Sequence, residues 1–201
     1  MRKHVTQPEN NAQPKNMTRT SYTAHAGVIA AIYAVLTVLT LTLFQGFAWG
    51  PIQLRISEAV CVLALVVPSA IPGLTIGCIL ANLVGIALAG SGALGLLDVL
   101  LGSLATFLGA LWVWKMRARP GIALLGPVVA NALIVAAYLP LLLGAYGFYT
   151  IPFTDIDLVG NYPLMYLFGV IAVGIGEALV VYALGLPLLR ALKHFARWVV
   201  T

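Results

Sequence analysis

Apolar residues run through this chain in long blocks parted by short polar breaks. The blocks fall at about 24–44, 71–90, 93–114, 121–143 and 163–189. Each is close to the roughly 20 residues that a helix needs to cross the hydrocarbon core of a bilayer. A shorter apolar run, 59–67, extends back to Ile56 and is stopped by Pro68 and Pro72. As a helix it falls short of a full crossing. The pattern predicts an all-α integral membrane protein, a compact bundle of six transmembrane helices with a short second helix.

Composition agrees with this reading. The chain is 61% hydrophobic and 8% charged, where soluble domains carry about 25% charged residues. Mean hydropathy is +1.01. The spans leave no room for a large soluble domain. Residues 1–22 form a polar N-terminal tail with Pro8 and Pro14, which cannot bury a core and is expected to be disordered. A signal peptide has a short basic start and then an apolar region; here the polar stretch is long, so the first span is expected to stay as an anchor. Residues 23–192 make the membrane domain and 193–201 a basic C-terminal tail. Cys61 and Cys78 lie inside apolar segments and are expected to be core cysteines with no disulfide.

Charge sets the expected direction. The net charge of +5 comes from clusters. Arg2, Lys3, Lys15 and Arg19 precede the first span; Lys115, Arg117 and Arg119 follow the fourth; Arg190, Lys193 and Arg197 follow the sixth. With six crossings all three clusters share one face, which the positive-inside rule makes cytoplasmic together with both termini. Five crossings would split them, so the short second helix is expected to cross. The multi-pass chain is placed in the cell membrane. The clusters suit topology and anionic lipid; no basic patch interleaved with aromatics points to nucleic acid.

The stretch FAWGPIQLRISEA, residues 47–59, then lies on the outer face. It holds Trp49, Gln53, Arg55 and Glu58 among the bends Gly46, Gly50 and Pro51. Irregular backbone near membrane depth is tolerated where it packs in protein or lines a wet cavity. Arg55 and Glu58 are three apart and share a face if a helix begins there. Further polar residues stand within the spans: Asn82, Asp98, Asn131 and Glu177. Ionisable groups at this depth are costly and face a cavity or a partner. Arg55 can pair with one acid, but Glu58, Asp98 and Glu177 exceed it by two negative charges. A cavity so lined favours a cation, or a neutral ligand rich in N–H donors. Asn82 and Asn131 each close a G-x-x-x-A-N pattern, from Gly77 and from Gly126. Both are expected about 16 Å from the inner helix ends, either as interhelical hydrogen bonds or facing the ligand.

Absent chemistry narrows the field. There is no G-x-x-x-x-G-K-[ST] loop, so no nucleotide triphosphate is cradled by a P-loop here. No His, Cys or carboxylate set has metal-ligand spacing, and no nucleophile–base pair stands out. The expectation is a non-enzymatic protein with no cofactor and no metal.

The segments WGPIQLRISEA (49–59), AIPGLTIGCILANLVG (70–85), GLLDVLLGSLAT (95–106), LLGPVVANALIV (124–135) and VGIGEALVVYALGLPLL (173–189) resemble the QueT family. That family comprises proposed queuosine-precursor transporters, the substrate-binding S components of energy-coupling factor (ECF) importers. The resemblance implies a ligand such as 7-aminomethyl-7-deazaguanine, a cationic deazapurine captured from outside. It implies a T protein and two ATPase subunits as partners, which would supply the missing nucleotide chemistry. The candidate shell is Glu58, Glu177, Asp98, Asn82, Asn131, Arg55, Gln53 and Trp49, with Trp49 either stacking on the ring or anchoring at the interface. Ala26, Ala30 and Ala34 lie four apart in the first span, with Gly27 and Ala31 as a parallel row. Such small residues let another helix approach closely, whether from this protein or from a partner; the resemblance favours docking of the T protein. Two other readings stay open: an S component for another vitamin or nucleobase, and a membrane assembly protein without a ligand.

Overall fold

The computed structural model describes residues 18–43, 54–143 and 157–199. Among these residues the regular elements are all helices. We name them α1 (Arg19–Leu43), α2 (Ile56–Leu65), α3 (Ala70–Ala89), α4 (Gly92–Lys115), α5 (Pro120–Leu142) and α6 (Tyr162–Leu192). All but α2 are long and apolar enough to cross a membrane. The expected boundaries hold to within a few residues, except at the two ends of the chain. Helix α1 begins at Arg19, inside the expected tail, because the Thr18 hydroxyl accepts from the Ser21 amide at 3.2 Å and caps it. At the other end the helix runs on to Val199, through the expected basic tail. The expected disorder of the first residues lies outside the described ones, apart from residues 18–22.

Pairs of touching residues give the direction of each helix. A Cβ on Gly73 would stand 2.8 Å from the Ala26 carbonyl oxygen, and one on Gly77 2.7 Å from that of Ala30. Further along, Gly85 faces Leu41. The numbers rise together, so α1 and α3 run parallel. The Tyr22 hydroxyl donates to the Pro68 carbonyl at 3.5 Å, which sets the start of α1 beside the turn that precedes α3. Helix α2 therefore carries the chain back across the bundle, as the clustering of basic residues predicts. It is a 3-10 helix of ten residues, which covers about 20 Å of that path. A 3-10 helix rises about 2 Å per residue against 1.5 Å for an α-helix.

Helix α2 is the centre of the molecule. It touches α1, α3, α4 and α6. Val60, Cys61, Val62 and Ala64 on it are all buried, as fits a helix that is apolar on every side. A Cβ on Gly185 would meet Val62 Cγ1 at 2.7 Å, which shows how closely α6 approaches. Large apolar side chains such as Val28, Leu39, Ile76, Leu100 and Leu167 stand exposed on the outside of the bundle, where lipid covers them.

The alanine row of α1 faces α3 within this chain. Ala26 and Ala30 are buried against Gly73 and Gly77 of α3, and Ala34 is half-buried. The close approach is an internal one, between α1 and α3. The parallel row, Gly27 and Ala31, is exposed.

Candidate functional site

The 3-10 geometry of α2 stacks residues three apart in one row. Arg55, Glu58 and Cys61 share such a row, with the Glu58 amide bonded to the Arg55 carbonyl at 3.0 Å. The row points Glu58 into the bundle, where it is 1% exposed. Both of its oxygens are held by the protein. The Tyr33 hydroxyl of α1 donates to Oε1, and the Cys61 thiol donates to Oε2 at 3.1 Å. Thr37, one turn beyond Tyr33, donates to the Tyr33 carbonyl at 2.9 Å and shares a 2.7 Å hydrogen bond with the Ser57 hydroxyl.

Asp98 opens a π-helical segment of α4, Asp98–Gly102. Its Oδ1 accepts from the Tyr138 hydroxyl of α5 at 2.5 Å and lies 3.7 Å from Arg55 Nη2. Its backbone carbonyl accepts from Asn82 Nδ2 of α3 at 2.7 Å; the same amide reaches Cys78 Sγ at 3.4 Å. Gly102 makes room for this meeting. A Cβ there would stand 3.2 Å from both Asn82 Nδ2 and the Tyr138 hydroxyl.

Glu177 closes the α-helical part of α6, just before a second π-helical segment, Leu179–Gly185. All three acids of the interior thus sit on or beside a helix that departs from α geometry. Such departures recur at functional sites. Glu177 is 5% exposed and its Oε1 has no hydrogen-bond partner. Two donors share that state: Asn131 Nδ2 of α5 and Arg55 Nε. The three residues line one void, together with Glu58, Val135 and Val173. The other buried side-chain atoms without partners among the described residues are the hydroxyls of Ser69 and Ser103, neither of which lines this void. Unsatisfied buried polar groups cost about 1–3 kcal/mol each, so their convergence calls for a functional reason.

The void measures about 10 Å³, room for no more than one water. A second void of equal size lies on the other side of Arg55, against Asn82, Ser91 and Asp98. Arg55 therefore stands as the partition between two small polar spaces. A larger crevice of about 380 Å³ runs between α1 and α6, lined by Leu54, Ile56, Leu179, Val180, Ala183 and Leu184. Its one polar side chain among the described residues is Thr40, whose hydroxyl donates to the Leu36 carbonyl at 2.8 Å.

The structure thus gathers Arg55, Glu58, Asn82, Asp98, Asn131 and Glu177 into one polar cluster. Trp49 and Gln53 lie outside the described residues. The shared G-x-x-x-A-N pattern has two outcomes. Gly77 and Gly126 both serve close packing, against Ala30 and Trp112. Asn82 makes the interhelical hydrogen bond, whereas Asn131 lines the void and its amide nitrogen has no partner. Sequence reasoning passed over Tyr33 and Tyr138. Their signal was a phenol inside an apolar span, since a buried tyrosine hydroxyl finds a hydrogen-bond partner. Cys61 and Cys78 are buried and free, and no three metal-ligating side chains cluster among the described residues.

Residues 23–194 fit the family model described as QueT transporter. No curated protein and no solved structure matches the chain.

Proposed function

The chain belongs to the QueT transporter family, and on that premise we propose that it is the S component of an ECF-type importer for a queuosine precursor. The ligand in this reading is 7-aminomethyl-7-deazaguanine or a related deazapurine. The observation that carries it is that Arg55, Asn131 and Glu177, each with a buried polar atom that has no partner, line one void together with Glu58. Two donors and an acceptor side by side complement a heterocycle edge that carries both kinds of group. The surplus of carboxyls over the single guanidinium suits the aminomethyl ammonium.

A ligand pocket for a small molecule typically measures about 300–1,000 Å³. Capture therefore requires the walls to part from the closed arrangement described above. The site lies beside Tyr33, fourteen residues from the start of α1 at Arg19, or about 21 Å up the helix. The basic helix ends are at that starting side, so the cluster opens toward the opposite, outer face in the positive-inside orientation.

The energising partners of this reading are a T protein and two ATPase subunits. On α1 they would meet the exposed row of Gly27 and Ala31, because α3 already covers Ala26 and Ala30. The test is thermal stabilisation of the purified full chain. Binding to the folded state raises its stability with ligand concentration. Stabilisation by 7-aminomethyl-7-deazaguanine, and by no unrelated vitamin, is the expected result. Stabilisation by a different vitamin or nucleobase instead would replace the ligand, and stabilisation by none would leave an assembly role.

A further inference from the structure

We infer that Arg55 sets the ligand specificity of this site, by donating its Nε–H to an acceptor atom on the heterocycle edge while Glu177 accepts from the neighbouring N–H. The inference rests on the transport reading above and assigns one side chain within it. It follows from asking which polar atoms are still available. Asn82 is spent, with its amide on the Asp98 carbonyl and on Cys78. The hydroxyl hydrogens of Tyr33 and Tyr138 are spent on Glu58 and Asp98. Each oxygen of Glu58 already has a protein donor. Among the residues that line the void, the buried polar atoms left without a partner are Arg55 Nε, Asn131 Nδ2 and Glu177 Oε1.

Arg55 is also placed to do this without losing its hold on the protein. Its Nη2 lies 3.7 Å from Asp98 Oδ1, beyond the 2.7–2.9 Å of a charge-assisted hydrogen bond. The guanidinium is steered by Asp98 rather than saturated by it. A guanidinium has donors and no acceptor. It therefore accepts a lactam carbonyl and rejects an amino group at the same position. Sites that hydrogen-bond a specific group discriminate strongly, because the wrong group leaves buried partners unpaired.

The experiment compares two probes: 7-deazaguanine, which carries the carbonyl and the N–H beside it, and 2,6-diamino-7-deazapurine, which carries an amino group and a bare ring nitrogen there. Affinities are measured on the full chain in detergent or nanodiscs. The wild type should prefer the carbonyl probe by roughly 100-fold or more, two hydrogen-bond changes to a charged group. In Arg55→Gln the side-chain amide offers either a donor or an acceptor, so the Arg55 share should be lost and the preference should fall by about 10-fold, while the share that Glu177 reads at the ring N–H stays. A second variant, Arg55→Gln with Asp98→Asn, removes the pair together, so that Asp98 is not left without its partner; it should show the same fall and decides the matter if the single variant does not fold. A purely structural role for Arg55 would weaken both probes together and keep their ratio. A retained ratio in the variants, or a wild type that binds both probes equally, overturns the assignment alone. A wild type that binds neither these probes nor the aminomethyl compound overturns the transport reading, and the assignment with it.

Discussion

Glu58 and Glu177 line the same void yet differ in what holds them. Glu58 is fixed by Tyr33 and Cys61, while Glu177 keeps a free oxygen. Their glutamine variants should therefore separate. Glu177→Gln should cost roughly 10- to 100-fold in precursor affinity, the worth of one charge-assisted hydrogen bond, with little change in melting temperature. Glu58→Gln should lower stability as well, because an amide cannot accept from both Tyr33 and Cys61 in the same way. Tyr33→Phe checks the same pair from the other side: it strips a donor from a buried carboxylate and should destabilise the protein by about 1–3 kcal/mol. Calorimetry and ligand titration on the three variants together decide it; equal melting temperatures for all of them would mean that Glu58 is not held as described.

At the scale of elements, the contact of α1 with α3 depends on glycine. Gly73 and Gly77 have no room for a Cβ, since the atoms that it would meet are backbone carbonyls of α1. That contact also fixes Tyr33, whose Cβ lies 2.9 Å from where a Gly77 side chain would begin. Ala30→Leu or Gly77→Leu should overpack the interface, cost about 1–3 kcal/mol or more, and weaken ligand binding through Tyr33 and Glu58. Ala31→Leu, on the exposed face, should leave the stability within about half a kcal/mol of wild type. Loss of co-purifying partners with Ala31→Trp, while the isolated chain still folds, is the outcome expected if that row is the docking face. The reverse pattern, with Ala30→Leu stable and Ala31→Leu unfolded, would contradict the packing.

Outside the interior cluster, the charges of the described residues stand at opposite ends of the molecule. Arg19, Lys115, Arg117, Arg119 and Arg190 stand at the end where α1, α3 and α5 begin; Asp157 lies before α6 at the other. A cysteine at Val159, an exposed position, should react with an impermeant thiol reagent added outside cells. One at Ala118 should react only after permeabilisation. Val159 is a sounder probe than Gly160, whose φ of 90° strains any other residue. The native Cys61 and Cys78 are buried and should stay silent. Labelling in the reverse order would invert the orientation and turn the cluster to the cytoplasm.

What the sequence settled by itself was whatever depends on length, hydropathy and charge. Blocks of about 20 apolar residues can satisfy their backbone in lipid only as helices, so the five long spans were legible. So was the return crossing of α2, because basic clusters on one face demand an even number of passes before Lys115. The acids and amides of the cluster stood out for the same reason: polar side chains are costly at that depth. Tertiary structure decided the partners. Two asparagines in one local pattern met different neighbours, and only packing left Asn131 unpaired while Asn82 bonded across to α4. Two rows of small residues on α1 looked alike in sequence, and α3 covered one of them. The 3-10 and π turns beside Glu58, Asp98 and Glu177 depend on how neighbouring helices constrain the backbone, which local composition does not encode.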